Sequence, residues 1–160
     1  MTRLIREQDF DFIYRLYMHP ATNPFLLYEL MDEETFKPIF GDLLLKNIIY
    51  IYEQDAVPAG MFKLIPATHR SAHIVYVGGL AVEPTLMGRG LGGKMMEEII
   101  ALCKEKGFLR IELSTYTGNE KAIRLYEKAG FQQEGVLRKY THLKSEGRFV
   151  DEVMMSYVVA

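Results

Sequence analysis

The chain lacks several features that would place it in a specialised class of protein. Its 160 residues include no tryptophan and one cysteine, Cys103, so an internal disulfide is excluded and a reducing compartment is expected. No apolar run reaches the roughly 18 residues that a membrane span requires, and Met1–Glu7 contains no apolar signal core. We therefore expect a cytoplasmic protein with no membrane partner, in which Cys103 is a small buried hydrophobic residue.

Neither sign of charge dominates the chain. Its 19 lysine and arginine residues stand against 21 aspartate and glutamate residues, which gives a net charge of −2. Without a basic excess there is no electrostatic footprint for nucleic acid, so we expect no such partner. No repeat, low-complexity tract or long polar linker divides the sequence, and its length suits a single domain over residues 1–160. We also predict no metal site.

Hydrophobic periodicity predicts eleven elements in the order β α α β β β α β α β β. The predicted strands span residues 2–6, 48–52, 60–65, 73–82, 109–116, 131–141 and 148–158. The second helix begins near Asp32 and is interrupted by Pro38 and Gly41, whereas the fourth begins with a capping box over 117–120. The predicted fold class is α/β, with a mixed, mostly antiparallel central sheet of about seven strands that about four helices flank on both faces.

A glycine-rich segment leads into the third predicted helix: Gly88-Arg89-Gly90-Leu91-Gly92-Gly93-Lys94. Backbone amides at the start of a helix can point at an anion, and the helix dipole adds to the attraction. Four glycines beside Arg89 and Lys94 therefore predict a phosphate or pyrophosphate site. The alternative is a tight turn that needs glycine for close packing and binds nothing.

Two common nucleotide motifs fit this segment poorly. The dinucleotide fingerprint G-x-G-x-x-G matches at Gly88, Gly90 and Gly93, but it should follow its strand almost at once in the first crossover unit, and here residues 83–87 and several elements intervene. The P-loop G-x-x-x-x-G-K-[ST] fails at Met95, because a thioether cannot hold the magnesium ion that a hydroxyl holds. Both mismatches argue against NAD or ATP as the ligand.

The same segment resembles the acyl-CoA loop of the GCN5-related N-acetyltransferases, [QR]-x-x-G-x-[GA], with Met87 in place of the usual polar residue. A second, independent motif is Asn119–Phe131, which matches the family's N-x-x-A-x-x-L-Y-x-K-x-G-F at every marked position. Alone, this motif also fits an ordinary capped helix with Tyr126 in the core. Together the motifs make the chain similar to this superfamily over nearly its whole length, and residues 138–154 are similar to amino-acid, small-molecule and ribosomal-protein N-terminal acetyltransferases.

The resemblance implies an acetyl-CoA-dependent N-acetyltransferase in which Tyr126 is the general acid for the departing thiolate. A phenol suits this role because its ordinary pKa of roughly 10 keeps it protonated at neutral pH. Gly78 and Gly79 would let their strand bulge away from its neighbour and open a gap for the cofactor. The residues that the resemblance implies in acetyl-CoA binding are Leu80, Ala81, Val82, Gly88, Arg89, Gly90, Leu91, Gly92, Gly93, Lys94, Asn119, Ala122 and Tyr126.

The general base has no obvious position in the sequence. Many relatives place a carboxylate on the strand before the glycine loop, but residues 74–80 contain none. Glu112 is the leading candidate for the base, acting directly or through water, with Ser114 on the same strand face. Glu83 is expected to be solvated at its turn and His73 to lie on the surface. A water chain is the remaining alternative.

The predicted function is transfer of an acetyl group from acetyl-CoA to the primary amine of a small molecule, such as an amino acid or a polyamine. The alternatives are a protein N-terminal acetyltransferase of the ribosomal-protein type and a non-catalytic acyl-CoA-binding sensor. The resemblance also makes a homodimer a candidate assembly. The residues that either line the acceptor pocket or belong to a solvated face and the core are Phe25, Tyr28, Glu29, Glu33 and Glu34.

Overall fold

The computed structural model describes residues 1–160 and contains seven strands and four α-helices. The strands are β1 (Thr2–Leu4), β2 (Ile49–Gln54), β3 (Val57–Pro66), β4 (Ile74–Val82), β5 (Arg110–Tyr116), β6 (Gln132–Leu143) and β7 (Arg148–Val158). The helices are α1 (Phe10–Met18), α2 (Glu33–Lys46), α3 (Leu91–Glu105) and α4 (Glu120–Lys128). The element order is the predicted one, and the α/β class is confirmed. None of the helices is long and apolar enough to cross a membrane.

The seven strands form one mixed sheet in the order β1-β2-β3-β4-β5-β7-β6. The pairs β1–β2, β2–β3, β5–β7 and β6–β7 are antiparallel, and β4–β5 is parallel. The parallel ladder joins Ile74–Tyr76 to Arg110–Glu112, whereas β4 continues to Val82 and β5 to Tyr116. The backbone N–H and C=O groups of β4 beyond Tyr76 therefore do not take part in the β4–β5 ladder.

The residues group into two compact units, of which the first comprises Met1–Leu64 and Gly79–Leu91. Its core is built where the apolar faces of α1 and α2 meet the side chains of β2 and β3. Burial in the helices follows the helical period of 3.6 residues, whereas consecutive residues are buried in β2 and β3, so both faces of these strands are covered. The core residues are Ile5, Ile13, Leu16, Tyr17, Phe36, Phe40, Leu43, Ile49, Ile51, Met61 and Ala81.

Helix α2 differs from its prediction. Its N-cap is Asp32, as predicted, and the Asp32 carboxylate accepts a hydrogen bond of 2.8 Å from the Thr35 backbone N–H. The predicted interruption at Pro38 and Gly41 is wrong, because the helix continues through both to Lys46. Its buried face carries Phe36, Phe40 and Leu43, and this packing outweighs the low helix propensity of proline and glycine.

The second unit comprises Ile65–Gly78 and Gly92–Ala160. Cys103 is fully buried in it, as predicted. The capping box predicted over 117–120 does not form, since Asn119 is the N-cap of α4 and the third helical residue is Ala122, which has no side-chain acceptor. Its buried residues come mainly from α3, α4, β5 and β7 and include Met95, Met96, Ile99, Cys103, Ile111, Leu113, Tyr126, Phe131, Val153 and Met155. The assignment of residues 1–160 to a single domain stays a prediction.

Candidate active site

The glycine segment, residues 88–94, leads into α3 and has free space around much of its backbone. Gly88 and Gly90 have φ angles of 82° and 73°, which residues other than glycine rarely adopt. A Cβ atom at Gly88, Gly90 or Gly93 would meet no heavy atom within 4 Å. Close packing therefore does not explain these three glycines. Open backbone at the start of a 15-residue helix fits a phosphate group.

The neighbouring residues of this segment have different surroundings. A Cβ atom at Gly92 would lie 3.2 Å from Leu125 Cδ2, so this glycine permits the close approach of α3 and α4. Leu91 is buried, whereas the cationic side chains of Arg89 and Lys94 are exposed. The segment thus places two exposed cationic side chains at the start of α3, next to the buried Leu91.

Tyr126 of α4 has the burial expected of a core residue and the protonation state expected of a general acid. It is 8% exposed, and its ring centroid lies 6.2 Å from that of Phe131. Burial raises the pKa of Tyr126 to about 12, and the nearby Tyr76 adds to the rise. A buried phenol with this pKa keeps its proton at neutral pH, which is the state that a proton donor needs.

Asn119 and Ala122 form the start of α4. The Asn119 Oδ1 atom accepts a hydrogen bond of 3.3 Å from the Ala122 backbone N–H, and its Nδ2 atom donates to Thr115 Oγ1 over 3.3 Å. The Asn119 side chain therefore fixes the helix start. Its role towards the pantetheine arm stays a prediction.

The predicted base, Glu112, belongs to an ion-pair cluster on the sheet. Arg110 Nε donates to Glu112 Oε2 over 2.8 Å, and the same guanidinium donates to both carboxylate oxygens of Glu134 over 2.9 and 2.6 Å. The Glu112 carboxylate is a quarter exposed and engaged with a cation. The assignment of Glu112 as the base stays a prediction.

The prediction that Glu83 is solvated is wrong. Glu83 is 6% exposed, its carboxylate accepts a hydrogen bond from Arg15 Nη1, and its backbone N–H donates to the Ala59 carbonyl over 2.8 Å. The charge is buried because an arginine from α1 compensates it. His73 is exposed, as predicted.

A hydrogen-bonded chain across β4, β5 and β7 was not predicted. Tyr76 Oη lies 2.7 Å from Ser114 Oγ, and Ser114 Oγ donates to Glu152 Oε1 over 2.7 Å. Ser114 has one hydroxyl proton, so Tyr76 is the donor to Ser114. Thr141 Oγ1 donates to the second oxygen of Glu152. The chain leads from a phenol to a carboxylate and is oriented to pass a proton in that direction.

A buried lysine on β3 was also not predicted. Lys63 is 5% exposed, and burial lowers its pKa. Its Nζ atom donates to Tyr28 Oη over 3.4 Å and lies 5.1 and 5.8 Å from the ring centroids of Tyr28 and Tyr17. The signal in the sequence is one charged residue within the apolar run 59–65.

The predicted acceptor residues divide into two groups. Tyr28 is half-buried and contacts Lys63, as described above. The others, Phe25, Glu29, Glu33 and Glu34, are exposed. Glu33 lines an open groove of about 500 Å³ between α1 and the start of α2. Their roles towards an acceptor stay predictions.

Known proteins resemble this chain in sequence and in fold. The L-amino acid N-acetyltransferase AaaT of Escherichia coli is 33% identical over 90 residues, which cover 56% of this chain and 54% of that protein. The spermine/spermidine N(1)-acetyltransferase of Bacillus subtilis is 35% identical over 95 residues, which cover 58% of this chain and 62% of that protein. The chain thus spans about half of the length of AaaT and somewhat more of the Bacillus protein.

The fold and the family model agree with these relatives. The crystal structure of a ribosomal-protein-alanine N-acetyltransferase from Brucella melitensis superposes with a TM-score of 0.81 at 19% identity, over 99% of each chain. The model of the acetyltransferase (GNAT) family matches residues 9–131, which is more than half of the chain. The resemblance indicated by the glycine loop and the Asn119–Phe131 motif is confirmed: the chain belongs to the acetyltransferase (GNAT) family.

Proposed function

We propose that this chain moves an acetyl group from acetyl-CoA to the primary amine of a small molecule by direct transfer. The observation that carries the proposal is Tyr126, a buried phenol that is protonated at neutral pH already with its ordinary pKa, and burial raises this pKa further, to about 12. It lies in the second family motif, on α4. A protonated group at this position supplies the proton that a departing thiolate requires.

The open glycine backbone supports acetyl-CoA as the bound cosubstrate. Gly88, Gly90 and Gly93 leave space for a pyrophosphate, and Arg89 and Lys94 add positive charge. Leu80, Ala81 and Val82 lie in the part of β4 beyond its ladder with β5, so their backbone groups suit the pantetheine arm. Acetyl-CoA supplies an activated thioester, and the chain supplies binding and proton transfer.

Direct transfer is supported by the state of the one cysteine. Burial raises the pKa of the Cys103 thiol to about 12, so the thiol is protonated at neutral pH. The nucleophile of a covalent route is the thiolate, which needs an exposed and electropositive position. Cys103 is fully buried within α3 and lacks that position. The attacking nucleophile is therefore the acceptor amine itself.

For the proton that leaves the amine, the hydrogen-bonded chain offers a second candidate beside Glu112. Tyr76 donates towards Ser114, and Ser114 donates to Glu152. The pKa of Tyr76 is raised, chiefly by burial and further by Glu152, so Tyr76 stays neutral and passes a proton on. We assign Glu152 as the final acceptor, and Glu112 stays the candidate from the sequence.

The small-molecule acceptor is supported by the relatives, one named for L-amino acids and another for spermine and spermidine. The similarity of residues 138–154 to ribosomal-protein N-terminal acetyltransferases keeps a protein N-terminus as the alternative. We also propose a cytoplasmic location, and the homodimer stays a prediction.

Calorimetric titration followed by a thiol-release assay tests the function. Acetyl-CoA is the ligand, NAD and ATP are the controls, and the acceptors are amino acids, polyamines and a peptide with an N-terminal alanine. We expect binding of acetyl-CoA alone and thiol release with a small amine. Release with the peptide alone would support the N-terminal alternative, and binding without release would support the sensor. Absence of acetyl-CoA binding would overturn the proposed function.

A further inference from the structure

Lys63 is a buried cation for which the fold provides no carboxylate. It is 5% exposed and takes part in no ion pair. The charged group that acts on it is Lys46, which has the same sign and is itself paired with Asp42 over 2.8 Å. A buried charge without a partner is costly, and proteins normally pair it. Lys63 therefore lacks a carboxylate partner of its own.

A second polar group beside Lys63 also lacks a partner. Tyr17 is fully buried, and no protein atom hydrogen-bonds to its Oη atom. The Lys63 Nζ atom lies 5.8 Å from the Tyr17 ring centroid, and of its three donor hydrogens the structure assigns one, to Tyr28. Buried hydroxyl groups are nearly always hydrogen-bonded. The Tyr17 hydroxyl, which has no hydrogen-bond partner, thus lies near the Lys63 ammonium, which has N–H donors without an assigned acceptor.

These donors lie against Gly79 of β4. A Cβ atom at Gly79 would lie 3.0 Å from Tyr17 Oη and 3.4 Å from Lys63 Cγ, and the φ angle of Gly79 is 55°. The next three residues, Leu80 to Val82, are those to which we assigned the pantetheine arm. The unused donors therefore border the strand segment that we propose for binding of the cosubstrate.

We propose that Lys63 and Tyr17 bind a carboxylate of the acceptor, so that the acceptor is an amino acid or another amine that carries a carboxylate. This inference rests on the proposed function, whose acceptor it names. One carboxylate accepts hydrogen bonds from an ammonium and a phenol at once, and such charge-assisted bonds are the strong ones. A polyamine would bring further positive charge to Lys63, and like charges discriminate against a ligand.

Kinetics with matched acceptors test the proposal. Each L-amino acid is compared with its primary amide, which keeps the amine and loses the negative charge. Lys63→Met should lower kcat/KM for amino acids by roughly 10- to 100-fold, the effect of losing a charged hydrogen bond, and leave the amides unchanged. Tyr17→Phe should cause a smaller loss in the same direction. Lys37→Met, which removes an exposed lysine of the same unit that does not act on Lys63, is the control and should change neither.

A titration followed by NMR tests the same site without turnover. The probes are sodium acetate and neutral acetamide, and the signal is the 13Cε resonance of Lys63, assigned by its absence in Lys63→Met. Acetate should shift this signal and raise the pKa of Lys63, whereas acetamide should do neither. An unmoved signal would overturn the proposal, as would equal losses for acids and amides in Lys63→Met or turnover of polyamines alone. Loss of acetyl-CoA binding would instead overturn the proposed function, and the acetate titration would still report on this site.

Discussion

Arg3 and Lys63, two largely buried cations of the first unit, have opposite surroundings. Arg3 donates to both oxygens of Asp9 over 2.8 and 2.9 Å and to Glu53 over 3.1 Å. Lys63 has no carboxylate, and the Tyr17 hydroxyl beside it has no partner. The Arg3 cluster joins β1 to β2 and to the segment before α1, so its charges hold the fold together. The Lys63 cluster holds donors that the fold itself does not use.

This difference separates polar groups that stabilise the fold from polar groups that are available to a ligand. Substitutions in the Arg3 cluster should reduce the free energy of unfolding. Substitutions at groups available to a ligand should change binding or turnover and leave stability nearly unchanged. The following substitutions test whether a residue stabilises the fold or is available to a ligand.

Gly90→Asp should abolish acetyl-CoA binding, the largest effect that we expect. A carboxylate in the open space at Gly90 would repel the pyrophosphate. Gly147→Asp is the matched control, because Gly147 also has a positive φ angle, 63°, and open space, but lies in the turn between β6 and β7. Calorimetry on both variants measures the effect. Binding with normal affinity by Gly90→Asp would contradict the phosphate role.

Tyr126→Phe should lower kcat by roughly 10²-fold or more and leave acetyl-CoA affinity and stability near normal. The ring stays packed against Phe131, and only the proton donor is lost. Because the pKa of Tyr126 is raised to about 12, the native enzyme should keep this donor until the pH approaches 12. Tyr157→Phe is the control, since its ring also contacts Phe131. An unchanged kcat in Tyr126→Phe would remove the general-acid assignment.

Asp9→Asn should lower the free energy of unfolding by about 2 kcal/mol, because it weakens the charged hydrogen bonds of the partly buried Arg3, which keeps only Glu53 as an ion-pair partner. Burial acts to raise the pKa of Asp9, but hydrogen bonds from Arg3 and from the Arg6 backbone N–H outweigh it and lower the pKa. The stabilisation by Asp9 is therefore complete above pH 3.8, its ordinary pKa, and is lost as the pH falls further.

Lys63→Met should maintain or raise the free energy of unfolding, since it removes a buried charge that no carboxylate compensates. Urea unfolding of both variants at pH 7 and pH 3 makes the comparison. Equal losses of stability in Asp9→Asn and Lys63→Met would abolish the distinction between the two cations.

Glu152→Gln should lower kcat on the order of tenfold, less than a general base in direct contact contributes, because Glu152 acts through Ser114 and Tyr76. Glu112→Gln should have a smaller effect, since Arg110 already engages that carboxylate. The pH–rate profile is the decisive measurement: loss of the acidic limb in Glu152→Gln supports proton transfer, which a merely structural role would not change. A larger loss in Glu112→Gln would favour the candidate from the sequence.

The family and the proposed cosubstrate could be predicted from the sequence because their signals are local. The positive φ angles of Gly88 and Gly90 require glycine, so the conformation is visible in the residue types themselves. Tyr126 lies seven residues after its helix cap, Asn119, and both belong to one continuous motif. A short segment with its own turn and helix signals carries this information without reference to the rest of the chain.

The pairing of residues in the polar clusters could not be predicted from local sequence signals. The Lys63–Tyr28 bond spans 35 residues, the Tyr76–Ser114 bond 38 and the Arg15–Glu83 pair 68. Glu83 was expected at a solvated turn because its own surroundings in the sequence are those of a turn, and only the position of α1 brings Arg15 to it.

The sequence by itself determined the α/β class, the element order, the two family motifs and the identity of the proposed general acid. The tertiary structure alone decided which charges are paired: Arg3 with Asp9, Glu112 with Arg110, and Lys63 with no carboxylate. The physical reason is strand register. A shift of one residue turns every side chain to the other face of the sheet, so contacts between distant strands depend on the packing of the whole fold and not on any local pattern.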